Sequence, residues 1–208
     1  MIVVSDFDGT LTMEDVTTYV WDKHLRYDWR SALLPPTYAG SWTPLHMIAR
    51  GYADIPVPPE QLLADVRAAV RLRPGLEELA GFCRARGWPL AVASHGLTFY
   101  IEALLPTALP VAAFAGTFTG SGYDVSLPEG FTLAPGEDFK SRVVADLVAR
   151  HPGHPTVYLG DGRLDLAAAE RCDRVFAVRD TRLAQLLREA GREVAEFDRL
   201  DEVIAALG

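Results

Sequence analysis

Cysteine is nearly absent: Cys83 and Cys172 are the only two in 208 residues. Neither flank has metal-ligand spacing, so a cysteine framework is excluded, and buried free thiols in a cytoplasmic setting are expected. Long apolar runs are missing too. None reaches the length that spans a bilayer, and the N-terminus opens into a strand-like run without the charged and apolar regions of a signal peptide. Basic residues are in the minority. Twenty Lys and Arg against 28 Asp and Glu leave a formal charge of -8, which argues against nucleic acid or an anionic membrane as partner. An anionic substrate is also repelled at long range, so a phosphate site has to carry its own local cation. Internal repeats and low-complexity segments are absent.

Apolar residues make up 49% of the chain, which suits a globular protein with a substantial core. The chain is organised around Ile2-Val3-Val4-Ser5-Asp6-Phe7-Asp8-Gly9-Thr10-Leu11-Thr12. A short apolar run, read as a buried strand, ends in two carboxylates one residue apart. Asp is a poor strand residue, and two at a strand end need a reason. They are either turn and capping residues or a carboxylate nucleophile beside a carboxylic acid. Gly9 permits a sharp turn, and Thr10 or Thr12 is available to cap a following helix.

The same design recurs twice. Pro89–Ser94 is an apolar run ending in a hydroxyl, followed by His95-Gly96 and a predicted helix from about Leu97. Ser94, Gly96 and a helix N-terminus suit a phosphate oxygen, although an ordinary N-cap looks the same. His95 is a substrate contact, a pH-sensitive neighbour or a solvent-facing loop residue. Pro155–Leu159 leads into Gly160-Asp161-Gly162-Arg163-Leu164-Asp165. Glycines on both sides leave Asp161 open, and Asp165 lies about one helical turn on. Lys140 stands in the first turn of a predicted helix from Asp138 to Arg150, where a cation is slightly wrong for the helix dipole. It serves an anion or is a surface lysine.

Strands alternating with helices predict an α/β fold, a Rossmann-like parallel sheet with helices on both faces. All C-terminal strand ends then share one edge, so Asp6, Asp8, Ser94 and Asp161 should converge there. Residues 13–72 are too long for one crossover. They predict a small helical cap inserted after the first strand, with residues 1–12 and 73–208 forming the core domain. Within the insert, helices are expected at 12–27 and 60–72. Residues 28–59 should be irregular, broken by Leu34-Pro35-Pro36 and Val57-Pro58-Pro59, with room for a short helix between Trp42 and Tyr52. A hairpin is expected around Gly120-Ser121-Gly122.

Asp6-Phe7-Asp8-Gly9-Thr10, Ser94, Lys140 and Gly160-Asp161-Gly162-x-x-Asp165 together resemble the four signatures of the haloacid dehalogenase superfamily, in its phosphatase branch. The cap position resembles phosphoserine phosphatases. The tail resembles the methionine-salvage (MtnX-like) and phosphocholine phosphatase group. Haloacid dehalogenases proper lack the second Asp, so Asp8 favours phosphoryl chemistry. The resemblance implies Asp6 as nucleophile and Asp8 as general acid and base. It implies Mg²⁺ held by Asp6, the Asp8 main chain and Asp161, with Asp165 in support. Ser94, Gly96 and Lys140 would hold phosphate, with His95 where relatives carry Gly, and Asp15, nine residues after Asp6, would touch the substrate's own polar group. Without the resemblance Asp15 reads as favourable charge at a helix start. The implied activity is hydrolysis of a small phosphorylated metabolite through an aspartyl-phosphate. Phosphotransfer to an alcohol and non-catalytic binding of a phosphometabolite are the rivals. Substrate identity and oligomeric state are not legible.

Overall fold

The computed structural model describes residues 1–208. Its centre is β1 (Ile2–Ser5), whose four residues are all buried. β2 (Leu90–Leu97) pairs parallel on one side of it and β5 (Thr156–Gly160) on the other. Beyond β2 lie β3 (Val111–Phe118) and β4 (Tyr123–Ser126), and beyond β5 lie β6 (Arg174–Val178) and β7 (Ala195–Phe197), giving the order β4-β3-β2-β1-β5-β6-β7. All neighbours run parallel except β3 and β4. Strands buried on both faces explain the unbroken apolar runs at Ile2–Val4 and Val157–Leu159. The strand order reverses direction at β1, and a crevice opens beyond the C-terminal ends of strands at such a point.

Helices α5 (Leu76–Ala85), α6 (Thr98–Leu104), α7 (Phe139–Arg150), α8 (Leu166–Ala169), α9 (Arg182–Glu189) and α10 (Leu200–Leu207) flank the sheet. The expected hairpin is present, closed by the Thr119 amide donating to the Gly122 carbonyl at 2.9 Å. β3 is one continuous strand. Its first half pairs with β2 and its second half with β4.

Between β1 and α5 the chain leaves the sheet and builds α1 (Val16–His24), α2 (Trp29–Tyr38), α3 (Pro44–Tyr52) and α4 (Pro59–Ala69). The outgoing and returning legs are tied side by side. Thr12 bridges Leu72, the Met13 amide donates to the Arg71 carbonyl at 2.8 Å, and the Arg73 amide donates to the Leu11 carbonyl at 2.7 Å. The Glu14 carboxylate adds a fork to the Arg71 side chain. On the far side the Tyr123 hydroxyl donates to the Val57 carbonyl at 2.7 Å, so the hairpin also braces the insert.

Two expectations for this insert are corrected. The first helix begins at Val16, not Thr12, because Asp15 rather than a threonine caps it, accepting from the Thr18 amide. Thr12 instead closes the preceding turn, accepting from the Gly9 amide. Residues 28–59 are not mainly irregular, since α2 runs straight through Pro35 and Pro36. The two missing N–H groups would have bonded the Ser31 and Ala32 carbonyls. Both residues are exposed, so water can satisfy the freed carbonyls and the usual proline penalty is softened.

The insert has its own aromatic centre. Trp21 is buried, with Trp29 edge-on at 5.0 Å and Tyr52 at 6.0 Å. Gly51 lets α3 lie against the Trp21 ring, where a Cβ would overlap the indole. Truncating so large a buried ring typically costs about 3–5 kcal/mol. Trp21→Ala should therefore lower the unfolding free energy by that amount in urea titration, and a loss under about 1 kcal/mol would contradict this packing.

Candidate active site

The convergence expected from strand direction is what the structure shows. Asp6, Asp8, Asp15, Ser94, His95, Gly96, Lys140, Asp161 and Asp165 all line one cleft of about 300 Å³ between the sheet edge and the insert. Asp6 follows β1, and Asp161 follows its neighbour β5. Gly9 makes their approach possible. It has φ of +77°, and a Cβ there would stand 2.7 Å from Asp161 Oδ2. The Thr10 hydroxyl donates to Asp161 Oδ1 at 3.0 Å, tying the two loops together.

Lys140, in the first turn of α7, is buried and donates from Nζ to Asp6 Oδ1 and to Asp165 Oδ1, both at 2.7 Å. Burial opposes its charge, but Asp165 and Asp6 together hold its pKa above the usual lysine value. It is therefore not a surface lysine. Asp165 uses both oxygens on protein donors. Oδ1 also accepts from the Tyr158 hydroxyl, and Oδ2 accepts from the Asp161 and Gly162 amides. It braces Lys140 and the 160–165 loop at once.

Asp6, Asp161 and Asp165 each offer a carboxylate oxygen, and these oxygens lie within 4.8 Å of one another. Like charges at that spacing repel by roughly 3–4 kcal/mol at an effective dielectric near 20. One lysine does not balance three acids. Burial, then Asp165, raise the Asp6 carboxyl from 3.8 to about 7 despite Lys140. Burial, then Asp165 and Asp6, push Asp161 well above the ordinary range. An all-oxygen donor set under this strain fits a hard divalent cation, with Asp6 and Asp161 as the carboxylates whose oxygens are least committed.

Asp8 lies on the insert side of the cleft. Its Oδ2 accepts from the Thr17 hydroxyl of α1 at 3.0 Å and the Tyr100 hydroxyl of α6 at 3.1 Å, whereas Oδ1 is buried without a protein partner. Burial, then Asp15 and Asp6, raise its pKa well above 3.8. Ser94 is buried within β2, its Oγ accepting from the Gly96 amide at 3.0 Å. Asp15 caps α1 at the exposed mouth of the cleft.

His95 departs from the loop position expected. β2 continues through it to Leu97, and the side chain is only 7% exposed, near Phe114 and Phe139. Burial, then Lys140, push its pKa well below 6.5. It is therefore a neutral imidazole near neutral pH, neither solvent-facing nor pH-sensitive there.

Sequence reasoning missed Thr17, Tyr100, Tyr158 and Arg73. Arg73 is buried and donates to the carbonyls of Thr10, Gly9 and Asp198 at 2.6, 2.8 and 2.9 Å, which pins the loop after β1. No pattern in Leu72-Arg73-Pro74 distinguishes it from an exposed arginine.

Residues 3–170 match the family described as haloacid dehalogenase-like hydrolase. The chain belongs to that family. Among curated relatives, it is 28% identical to 2-hydroxy-3-keto-5-methylthiopentenyl-1-phosphate phosphatase of Microcystis aeruginosa, over 97% of this chain and 95% of the relative. It is 29% identical to the Geobacillus kaustophilus protein of the same name, over 100% and 95%. It is 24% identical to a polyol phosphate phosphatase of Saccharomyces cerevisiae, over 99% and 92%. In fold it is similar to a phosphoserine phosphatase solved as a phospho-aspartyl intermediate analogue, with a TM-score of 0.74 and 16% identity over 99% of this chain and 97% of that one.

The raised carboxyls carry a stability consequence. Asp6 binds its proton more tightly folded than unfolded, so the metal-free fold loses stability as pH rises from about 4 through about 7. A divalent cation competes with those protons and should raise the melting temperature more at pH 8 than at pH 5. Equal shifts at the two pH values, or none, would contradict cation binding by these acids.

Proposed function

We propose that this chain is a Mg²⁺-dependent phosphomonoester hydrolase that works through an aspartyl-phosphate on Asp6. The observation that carries the reading is the meeting of Asp6 and Asp161, 155 positions apart in sequence, with oxygens close enough to share one cation. Asp6 attacks phosphorus in line. A bound Mg²⁺ supplies the positive charge that lets a carboxylate approach a phosphate dianion. Asp6 and Asp161 would hold it, and Asp165 keeps Lys140 and the loop in place. Lys140 and Ser94 orient the phosphoryl oxygens. Asp8 gives its proton to the leaving oxygen, then takes one from the water that opens the acyl phosphate. Its raised pKa suits the first of these roles. The buried free thiols and acidic balance fit a cytoplasmic enzyme without nucleic-acid or membrane partners.

The helical segment 13–72 acts as a cap domain over the core of 1–12 and 73–208. Its Trp21, Trp29, Met47 and Ile48 give the cleft an apolar roof. With a cleft of about 300 Å³ the substrate is a small metabolite. The similarity to thiopentenyl and polyol phosphate phosphatases supports a short-chain, non-aromatic phosphate ester. Asp15 is placed to accept from a hydroxyl or amine of that ester.

Asp6→Asn preserves shape and removes the nucleophile. With Mg²⁺ and p-nitrophenyl phosphate, its phosphate release should fall by about a thousandfold or more while circular dichroism is unchanged. A folded variant that retains turnover would end the assignment.

A further inference from the structure

Five carboxyls line the cleft, those of Asp6, Asp8, Asp15, Asp161 and Asp165, against two permanent cations, Lys140 and Arg163. Lys140 is already committed. It is buried between Asp6 and Asp165, 2.7 Å from an oxygen of each. Arg163 is the cation that remains. It opens the tight turn Arg163–Asp165 after β5, it is exposed, and it makes no ion pair. Its guanidinium lies over the ring of Tyr38, 5.1 Å from the centroid. Tyr38 is the last residue of α2 and is 48% exposed. The arginine thus reaches from the core to the insert across the open side of the cleft, whereas Lys140 sits at its floor. A ring face attracts the guanidinium without consuming its N–H groups, so its donors stay available to an anion.

The site needs such a charge. The chain carries a formal charge of -8, and Asp15 stands at the same exposed mouth as Arg163. A phosphate dianion coming from solvent meets this negative field before it reaches Lys140. A cation at the rim acts over roughly a Debye length, about 8 Å at physiological ionic strength, and a low-dielectric cleft focuses its field. We propose that Arg163 is a substrate-binding residue that captures the dianionic phosphate group at the mouth of the cleft, before it seats against Lys140 and Ser94. The proposal rests on the phosphatase reading above and deepens it. Arg163 acts through its charge on the phosphate, which the ester and the released inorganic phosphate share. The organic part of the ester is left to the apolar roof of the insert.

A charge series at this exposed position tests the role without threatening the fold. Arg163→Lys, Arg163→Gln and Arg163→Glu are compared by calorimetry for binding of inorganic phosphate with Mg²⁺ present at low ionic strength. The lysine variant should bind within about threefold of the parent, the glutamine variant about tenfold more weakly, and the glutamate variant more weakly still. In about 0.5 M KCl, where the Debye length shrinks to about 4 Å, the spread should fall below about threefold. With p-nitrophenyl phosphate the same order should appear in KM, while kcat stays within about twofold, because the guanidinium takes no part in the chemical step. The rise in melting temperature on adding Mg²⁺ alone should be no smaller in Arg163→Gln than in the parent, since removing a positive charge beside the acids does not weaken a cation. A lysine variant as weak as the glutamine one, a loss that survives salt, or a joint loss of Mg²⁺ and phosphate binding would each overturn the proposal. Those results would mark a structural part in the 160–165 loop instead of a charge. Asp6→Asn separates the two levels. If it is inactive while the charge series is flat, only the arginine assignment falls. If it retains turnover, the phosphatase reading falls first.

Discussion

Lys140 stands between Asp6 and Asp165, 2.7 Å from an oxygen of each. The cleft is built around that contact. It joins the first turn of α7 to the residue after β1 and to the turn after β5, three places far apart in the chain. It also sets the charge problem of the site. A buried lysine flanked by two carboxylates is well compensated, but Asp161 is then left over. The excess is what suits the crevice to a cation rather than to a salt-bridged core. Removing the lysine would leave buried like charges facing one another.

The supporting contacts are of two kinds. Asp165, Tyr158 and Arg73 act inward, fixing loops through main-chain groups and through one another. Thr10 and Gly9 act sideways, bringing the β1 loop against Asp161. Thr17 and Tyr100 act toward the insert, where their hydroxyls reach Asp8 and each other. The two aspartates of the first loop therefore experience different surroundings. Asp6 faces a lysine and other acids, while Asp8 is held by two hydroxyls with Asp15 and Asp6 nearby. Both carboxyls are raised, but a cation bound between Asp6 and Asp161 would favour the ionised form of Asp6, whereas Asp8 has no such partner.

Much of this was legible in the sequence because strand direction is. Apolar runs that end in Asp6, Ser94 and Asp161 place those residues on one sheet edge without reference to distance in the chain. The hairpin at Gly120–Gly122 follows from local chemistry in the same way. What escaped was decided by burial. Tyr100 looks like one more core aromatic until its hydroxyl is seen to reach Asp8. Arg73 looks like a surface cation until its carbonyl partners enclose it. His95 looked like a loop residue because Gly96 suggests a turn, yet β2 runs on past it with a shifted register. The two prolines of α2 were over-read as breakers, since the carbonyls they strand lie on the exposed side.

The central claim is that Asp6 and Asp161 share one divalent cation and that phosphorus arrives on Asp6. A crystal structure with Mg²⁺ and beryllium fluoride, which mimics a phosphoryl group on a carboxylate, tests both parts together. The account predicts beryllium bonded to an Asp6 oxygen, with the cation touching Asp6 and Asp161 and Lys140 beside the fluorides. Beryllium on Asp8 or any other residue, or a cation held away from Asp161, would contradict it.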